Sequence, residues 1–263
     1  MLTNKIDYEN FTLVLSGGGA LGLAHLGVIE ELEKESISPK EIVGTSMGAI
    51  IGACMAIGYK ESDILNLFKE FSHVSEWVQF SFSGNSIITN NKINKILTNV
   101  FGDKKIIDTN IPLKIIATDI RSGDIKVFTK EDDVLLKDAV MASMAIPGVF
   151  EEQQIGKNIY VDGFLCENLG IKQASLESIL AIDVLGSNYF SDELPDNFLK
   201  TNNVLGMFEK SMRLLIYNQT KSNIQNSDKK IYLIEPSTNM YKTFQFNKYK
   251  EIKSLGYGKF IRA

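Results

Sequence analysis

Short apolar runs, each closed by glycine or by a polar turn, alternate with stretches whose apolar residues recur every three or four positions. The first run, Phe11-Thr12-Leu13-Val14-Leu15, ends in glycines and predicts a buried strand. Over residues 20–35, Leu21, Ala24, Val28 and Leu32 keep helical spacing and the end turns polar, which predicts a helix with one buried face. Ser38-Pro39 breaks the chain, Glu41-Ile42-Val43 predicts a second strand, and residues 49–57 read as a buried helix closed by Gly58. Residues 61–101 read as mainly helical and polar, with a loop near Ser83-Gly84-Asn85-Ser86.

Further strands are predicted at residues 112–119 and 125–129, a hairpin around the turn Arg121-Ser122-Gly123-Asp124. Others fall at 158–161, 178–184 and 230–235. Helices are predicted at 134–145, stopping before Pro147-Gly148, at 204–223 and at 247–255. Strands alternating with helices predict an α/β sheet covered by helices on both faces. No internal repeat, low-complexity tract or long linker interrupts the pattern.

Composition narrows the function classes. The 263 residues are 44% hydrophobic and 23% charged, an ordinary globular balance that excludes disorder as the main state. Lys and Arg number 28 against 32 Asp and Glu, so no basic footprint for nucleic acid is present. Two cysteines, Cys54 and Cys166, supply neither a disulfide framework nor a multi-cysteine zinc site and read as reduced packing residues. The N-terminus lacks the pattern of a signal peptide. The longest apolar run, residues 47–58, is well short of the about 20 residues a transmembrane helix needs. The expectation is a cytoplasmic protein without cofactor or metal, with contact to the inner membrane face left open.

Two glycine-rich segments carry the candidate chemistry. Ser16-Gly17-Gly18-Gly19-Ala20-Leu21-Gly22 joins a strand to a helix. Its bare backbone N–H groups and the helix N-terminus make an anion cradle, for a pyrophosphate or for the oxyanion of a reacting ester. The dinucleotide reading also wants an acid at the end of the second strand, whereas Glu41 begins that strand. Gly44-Thr45-Ser46-Met47-Gly48 is a G-x-S-x-G between a strand and a helix, the pattern of a nucleophile elbow.

A serine nucleophile needs a base. No histidine follows His73, which excludes the order Ser, acid, His. His25 sits on the first helix between Leu21 and Ile29 and reads as a packing residue, and His73 as structural. The base is then a carboxylate or a lysine. Asp162, ending the strand Tyr160-Val161-Asp162 before Gly163, is the leading candidate, with Asp119 and Asp183 as rivals at other strand ends. Met47, Phe150, Phe164 and the aromatic stretch with Trp77, Phe80 and Phe82 are candidate linings for an apolar groove. Lys242, Lys248, Lys250 and Lys253, interleaved with aromatics, suit either anionic lipid or a solvated helix.

Taken together, the motifs resemble those of the patatin-like phospholipase family. The matching segments are Gly17 to Gly22, Ala24-His25-Leu26-Gly27-Val28, Gly44 to Gly48, Pro112-Leu113 through Asp119 with Ser122-Gly123, Ala142 to Phe150, and Val161-Asp162-Gly163. Phe164 stands where that family often has a small residue, and Asn168-Leu169-Gly170 replaces the commoner Asn-x-Pro. The resemblance implies a three-layer α/β/α fold with a mostly parallel sheet over one domain, residues 1–263. It implies a calcium-independent serine acyl hydrolase that cleaves phospholipid or lysophospholipid esters through an acyl-enzyme. Ser46 and Asp162 would form the catalytic dyad, with Gly17, Gly18, Gly19 and Met47 as oxyanion donors and Phe150 and Phe164 against the substrate. The competing classes are a nucleotide-binding α/β protein and a non-catalytic relative on the same fold.

Overall fold

A computed structural model describes residues 1–3, 5–71, 91–187 and 201–259. Eight strands form one sheet: β1 (Phe11–Leu15), β2 (Glu41–Thr45), β3 (Leu113–Asp119), β4 (Ile125–Phe128), β5 (Gln153–Ile155), β6 (Asn158–Asp162), β7 (Ser178–Ile182) and β8 (Lys230–Ile234). Five of them run parallel in the order β3-β2-β1-β7-β8. The helices are α1 (Ala24–Lys34), α2 (Met47–Ala56), α3 (Glu61–Phe71), α4 (Asn91–Phe101), α5 (Leu136–Met144), α6 (Thr201–Gln225) and α7 (Tyr249–Ser254).

Successive strand residues face opposite sides of a sheet. Leu13, Leu15, Ile42, Ile115 and Leu180 therefore join the larger core, packed with α1, α2 and α5. Val14, Val43, Ile116, Ile179 and Ala181 face the other way, toward Leu169, Ile171 and Ile224 of α6. This is the three-layer α/β/α arrangement, and it accounts for β1, β2 and β7 being buried at every position.

The register of β3 decides where the site forms. Ile115 and Ile116 pair with Gly44 and Thr45 of β2 and also with Phe128 and Val127 of β4. Ala117 and Thr118 pair with Lys126 and Ile125 of β4, and on their other side with Asp162 and Val161 of β6. So β4 occupies one edge of β3, while β2 and β6 share the other edge end to end. The chain leaves the sheet after Thr45 just where β6 arrives at Asp162.

Sequence expectations and structure differ in a few places. The helix expected from residue 20 opens with a 3-10 turn, Gly19–Leu23, and becomes α-helical only at Ala24. Strand β5 carries Gln153 and Gln154 and no apolar alternation, so its sequence gives no strand signal. Lys253 does not face solvent or lipid. It is buried and pairs with Glu30 and Glu61 at 2.7 Å each, tying α7 to α1 and α3. His73, Trp77, Phe80, Phe82 and the loop near residues 83–86 lie outside the described residues. Among the described residues no helix is long and apolar enough to cross a membrane.

Candidate active site

Ser46 is one of two non-glycine residues at positive φ among the described residues (φ 53°, ψ −118°) and forms the N-cap of α2. Such a conformation costs on the order of 1–3 kcal/mol and persists only where the surroundings over-determine it. Five bonds do so here. The Ser46 N–H donates to Ser143 Oγ (2.8 Å), and that hydroxyl donates to the Ile116 carbonyl (2.6 Å). The Thr45 hydroxyl donates to the Glu167 carbonyl (3.1 Å), and the Ser46 carbonyl accepts from Ala49 and Ile50. The glycines flanking the serine give way to backbone: a Cβ on Gly44 would stand 2.5 Å from the Gly48 carbonyl oxygen, and one on Gly48 only 2.2 Å from that of Leu15.

Ser143 was not singled out from sequence as a functional residue, although a fully buried serine in the apolar run Met141 to Met144 is a signal in itself. Ser143→Ala leaves the buried Ser46 N–H without a partner, at a cost of about 1–3 kcal/mol. We expect a lowered melting temperature, with a smaller drop in Ser143→Thr, which keeps the hydroxyl.

Asp162 is fully buried at the end of β6. Its Oδ1 accepts the Phe164 N–H (3.0 Å), capping the 3-10 turn Gly163–Leu165, and its backbone carbonyl accepts from the Thr118 hydroxyl (3.0 Å). Gly163 fits because a Cβ there would meet the Ile116 carbonyl oxygen at 2.3 Å. Oδ2 is buried and closes no hydrogen bond of ordinary geometry. Burial pushes the carboxyl up to about 7, against the opposing pull of the Phe164 N–H and of the Ser46 side chain.

The glycine loop lies beside this pair. A Cβ on Gly17 would stand 3.0 Å from Ser46 Cβ and 2.6 Å from Asn168 Oδ1. Of the four expected oxyanion donors, Gly17 is already engaged: its N–H donates to the Asn168 carbonyl (3.3 Å). The N–H groups of Gly18, Gly19 and Met47 have no acceptor among the described residues. Gly19 is braced by the segment before α7, since its own Cβ would lie 2.3 Å from the Thr243 carbonyl oxygen, which accepts the Ala20 N–H at 2.7 Å.

The other titratable candidates fall elsewhere. Asp119 Oδ1 accepts the N–H groups of Arg121 and Ser122, the work of a turn former. Burial holds His25 down at about 4, so it is neutral, and it donates its Nε2–H to the Ser16 carbonyl (3.0 Å). Glu41 sits at the opposite end of β2 from the glycine loop, bonded to Thr12 Oγ1 and the Ser175 N–H (2.7 Å each) and paired with Lys114 (2.9 Å). The ribose-binding acid of a dinucleotide site therefore has no counterpart there. Asp183 contacts Ser16 and Leu185.

Ser46 opens onto a narrow cavity of ≈ 30 Å³, with Met47, Ile50, Met144, Phe150 and Phe246 among its walls. Phe150 stands where substrate contact was expected. Phe164 does not line this cavity: it follows Asp162-Gly163 directly, so its backbone turns onto Asp162 while its ring packs against the core. Among the described residues no cluster of three His, Cys, Asp or Glu side chains suits a metal ion.

A family model described as patatin-like phospholipase matches residues 13–175. A lysophospholipase NTE1 of Debaryomyces hansenii is 26% identical over 97% of this chain and 18% of its own length. Patatin-like phospholipase domain-containing protein 7 of Rattus norvegicus is 31% identical over 93% of this chain and 20% of its own. The chain thus spans about a fifth of the length of these relatives. Among solved structures, VipD from Legionella pneumophila superposes with a TM-score of 0.49 and 14% identity, over 95% of this chain and 65% of that one.

Proposed function

Because the chain belongs to the patatin-like phospholipase family, we propose that it hydrolyses lipid acyl esters with Ser46 as nucleophile and Asp162 as its base, residues 1–263 working as one domain. The observation that carries this reading is the meeting of a strained serine with a fully buried carboxyl that has one oxygen unpaired and sits near neutrality. A carboxyl lifted to about 7 is matched to general-base work at physiological pH.

The geometry supports the following sequence of steps. Asp162 takes the Ser46 hydroxyl proton while Oγ bonds to the ester carbonyl carbon. The N–H groups of Gly18, Gly19 and Met47 receive the oxyanion, each such donor being worth about 3 kcal/mol. The carbon–oxygen bond to the alcohol breaks, and the alcohol leaves with the proton from Asp162. Water then attacks the acyl-serine, gives a proton to Asp162, and the fatty acid departs as Ser46 regains its hydrogen. The apolar cavity suits an acyl chain by chemistry, and its size requires the lining side chains to part on binding. The name of the yeast relative favours a lysophospholipid among the substrates.

The test is intact-mass analysis after a fluorophosphonate, on wild type and a folded Ser46→Ala variant. A single adduct on wild type, absent from the variant, is the expected result. No adduct on folded wild type would favour the non-catalytic reading, in which lipid binds without turnover.

A further inference from the structure

Asp183, a rival for the base in the sequence, is fully buried behind the glycine loop, and the mechanism above leaves it unused. Parallel pairing of Leu15 with Ile182 makes Ser16 and Asp183 the next residues as β1 and β7 end together. All three polar atoms of Ser16 are held. Its N–H donates to the Ile182 carbonyl (3.1 Å), and its carbonyl accepts from His25. Its Oγ accepts the Val184 N–H (3.0 Å), which leaves the hydroxyl hydrogen for the Asp183 carboxylate. Asp183 itself is fixed by the Leu185 N–H on Oδ1 (3.0 Å) and by its own N–H on the Ile234 carbonyl of β8 (2.9 Å). The loop rests on the same turn: a Cβ on Gly18 would lie 2.5 Å from Val184 Cγ2.

We propose that Asp183 is a positioning residue for the anion-binding loop, holding the Ser16 hydroxyl and through it the aim of the Gly18 and Gly19 N–H groups. The proposal rests on the hydrolase reading for its effect on chemistry, though not for its effect on the loop. The groups facing Asp183 are the Ser16 hydroxyl from the turn just after β1, the Leu185 N–H from its own turn and the Glu235 carboxylate just after β8. His25 of α1 stays neutral beyond the Ser16 carbonyl. Burial, reinforced by Glu235, lifts the Asp183 carboxyl to about 7 against the pull of Leu185 and Ser16. Only the ionised form needs the Ser16 hydrogen, so the tie tightens as pH rises through neutrality.

The experiment compares wild type with Asp183→Asn at pH 6 and pH 8. One readout is hydrogen exchange of the bonded loop amides of Ser16, Gly17, Ala20 and Leu21, corrected for intrinsic rates. The other is the rate of fluorophosphonate labelling of Ser46 across that pH range. In wild type, protection should rise from pH 6 to pH 8, and below neutrality labelling should depend on two protons. In the variant, protection should be flat and about tenfold lower at pH 8, with labelling about tenfold slower and dependent on one proton, as expected for loss of a bond to a charged group. Protection and pH profile identical to wild type would overturn the proposal. Absence of label on wild type would sink the hydrolase reading, while the exchange data would still decide the role of Asp183. Ser16→Ala removes the same bond from the other side. It should reproduce the loss without adding to it in the double variant, and it decides the matter if Asp183→Asn fails to fold.

Discussion

Asp162→Asn should lower kcat on a lipid ester by roughly 10²–10⁴-fold, and above pH 7 it should make the protein harder to unfold. Both effects come from one burial. The amide keeps the shape of the carboxyl and can still accept the Phe164 N–H, so the turn after β6 stays capped. It cannot take the serine proton. In wild type, kcat/KM should fall at least tenfold per pH unit below about 7, where the Asp162 carboxyl becomes protonated, and more steeply where Asp183 takes up its proton too. A residual rate in the variant that keeps the wild-type acid limb would remove Asp162 from the base role.

The stability half follows from proton linkage. The folded carboxyl titrates near 7, the unfolded one near the ordinary carboxylate value of 3.8. Below that lower value both states are protonated and the native state keeps its full advantage. As pH rises toward 7 the unfolded state ionises first and stability declines, by a total on the order of a few kcal/mol. Above 7 the loss is complete. The stabilisation from Asp162→Asn should therefore vanish near pH 4 and be full at pH 8, as read by urea titration at both values. Asp183 is lifted in the same direction by the same cause, so wild type should be most resistant to unfolding in mild acid, where it is least active.

Gly48→Ala should leave little folded protein. The added methyl would stand 2.2 Å from the Leu15 carbonyl oxygen and 2.6 Å from its carbon, both backbone of the central strand, so relief requires α2 to lift off the sheet. Overpacking against atoms that cannot rotate away costs more than about 3 kcal/mol. Gly22→Ala is the informative contrast. There the obstacle is the Met47 side chain, at 2.3 Å from Cγ and 2.8 Å from Cβ, so a rotamer change has to be joined by a small shift of Met47 but no strand backbone is struck. That variant should fold with a smaller loss of stability than Gly48→Ala but a clear loss of activity, because Met47 walls the cavity and, in the proposed mechanism, offers its N–H to the oxyanion. Soluble Gly48→Ala with a wild-type melting temperature would show that the approach of α2 to β1 is looser than drawn.

The elements that repeat a local pattern were legible from the sequence. Strands β1, β2, β3, β7 and β8 announce themselves as apolar runs, and G-x-S-x-G between a strand and a helix marks Ser46. Asp162 was legible as an acid at a strand end, though Asp119 and Asp183 looked alike at that level. What separates the three is pairing between distant strands, which no local window contains. The same reason hid the engagement of Gly17 by the Asn168 carbonyl and the turning of Phe164 onto Asp162. Strand β5 was missed because a short edge strand rich in glutamine has no apolar alternation to read.

The end-to-end placing of β2 and β6 along one edge of β3 has a consequence for how the protein is made. A chain growing from its N-terminus completes β2 and its serine long before β6 has been synthesised. Until the hairpin of β3 and β4 is laid down and β6 returns to fill the vacant half-edge, the proposed dyad lacks its carboxylate. Closing so long a loop comes late in folding, because its entropy is lost before the contact rewards it. A half-synthesised chain should therefore leave nearby membrane lipid intact, and esterase activity should appear in nascent chains of increasing length only once β6 has emerged.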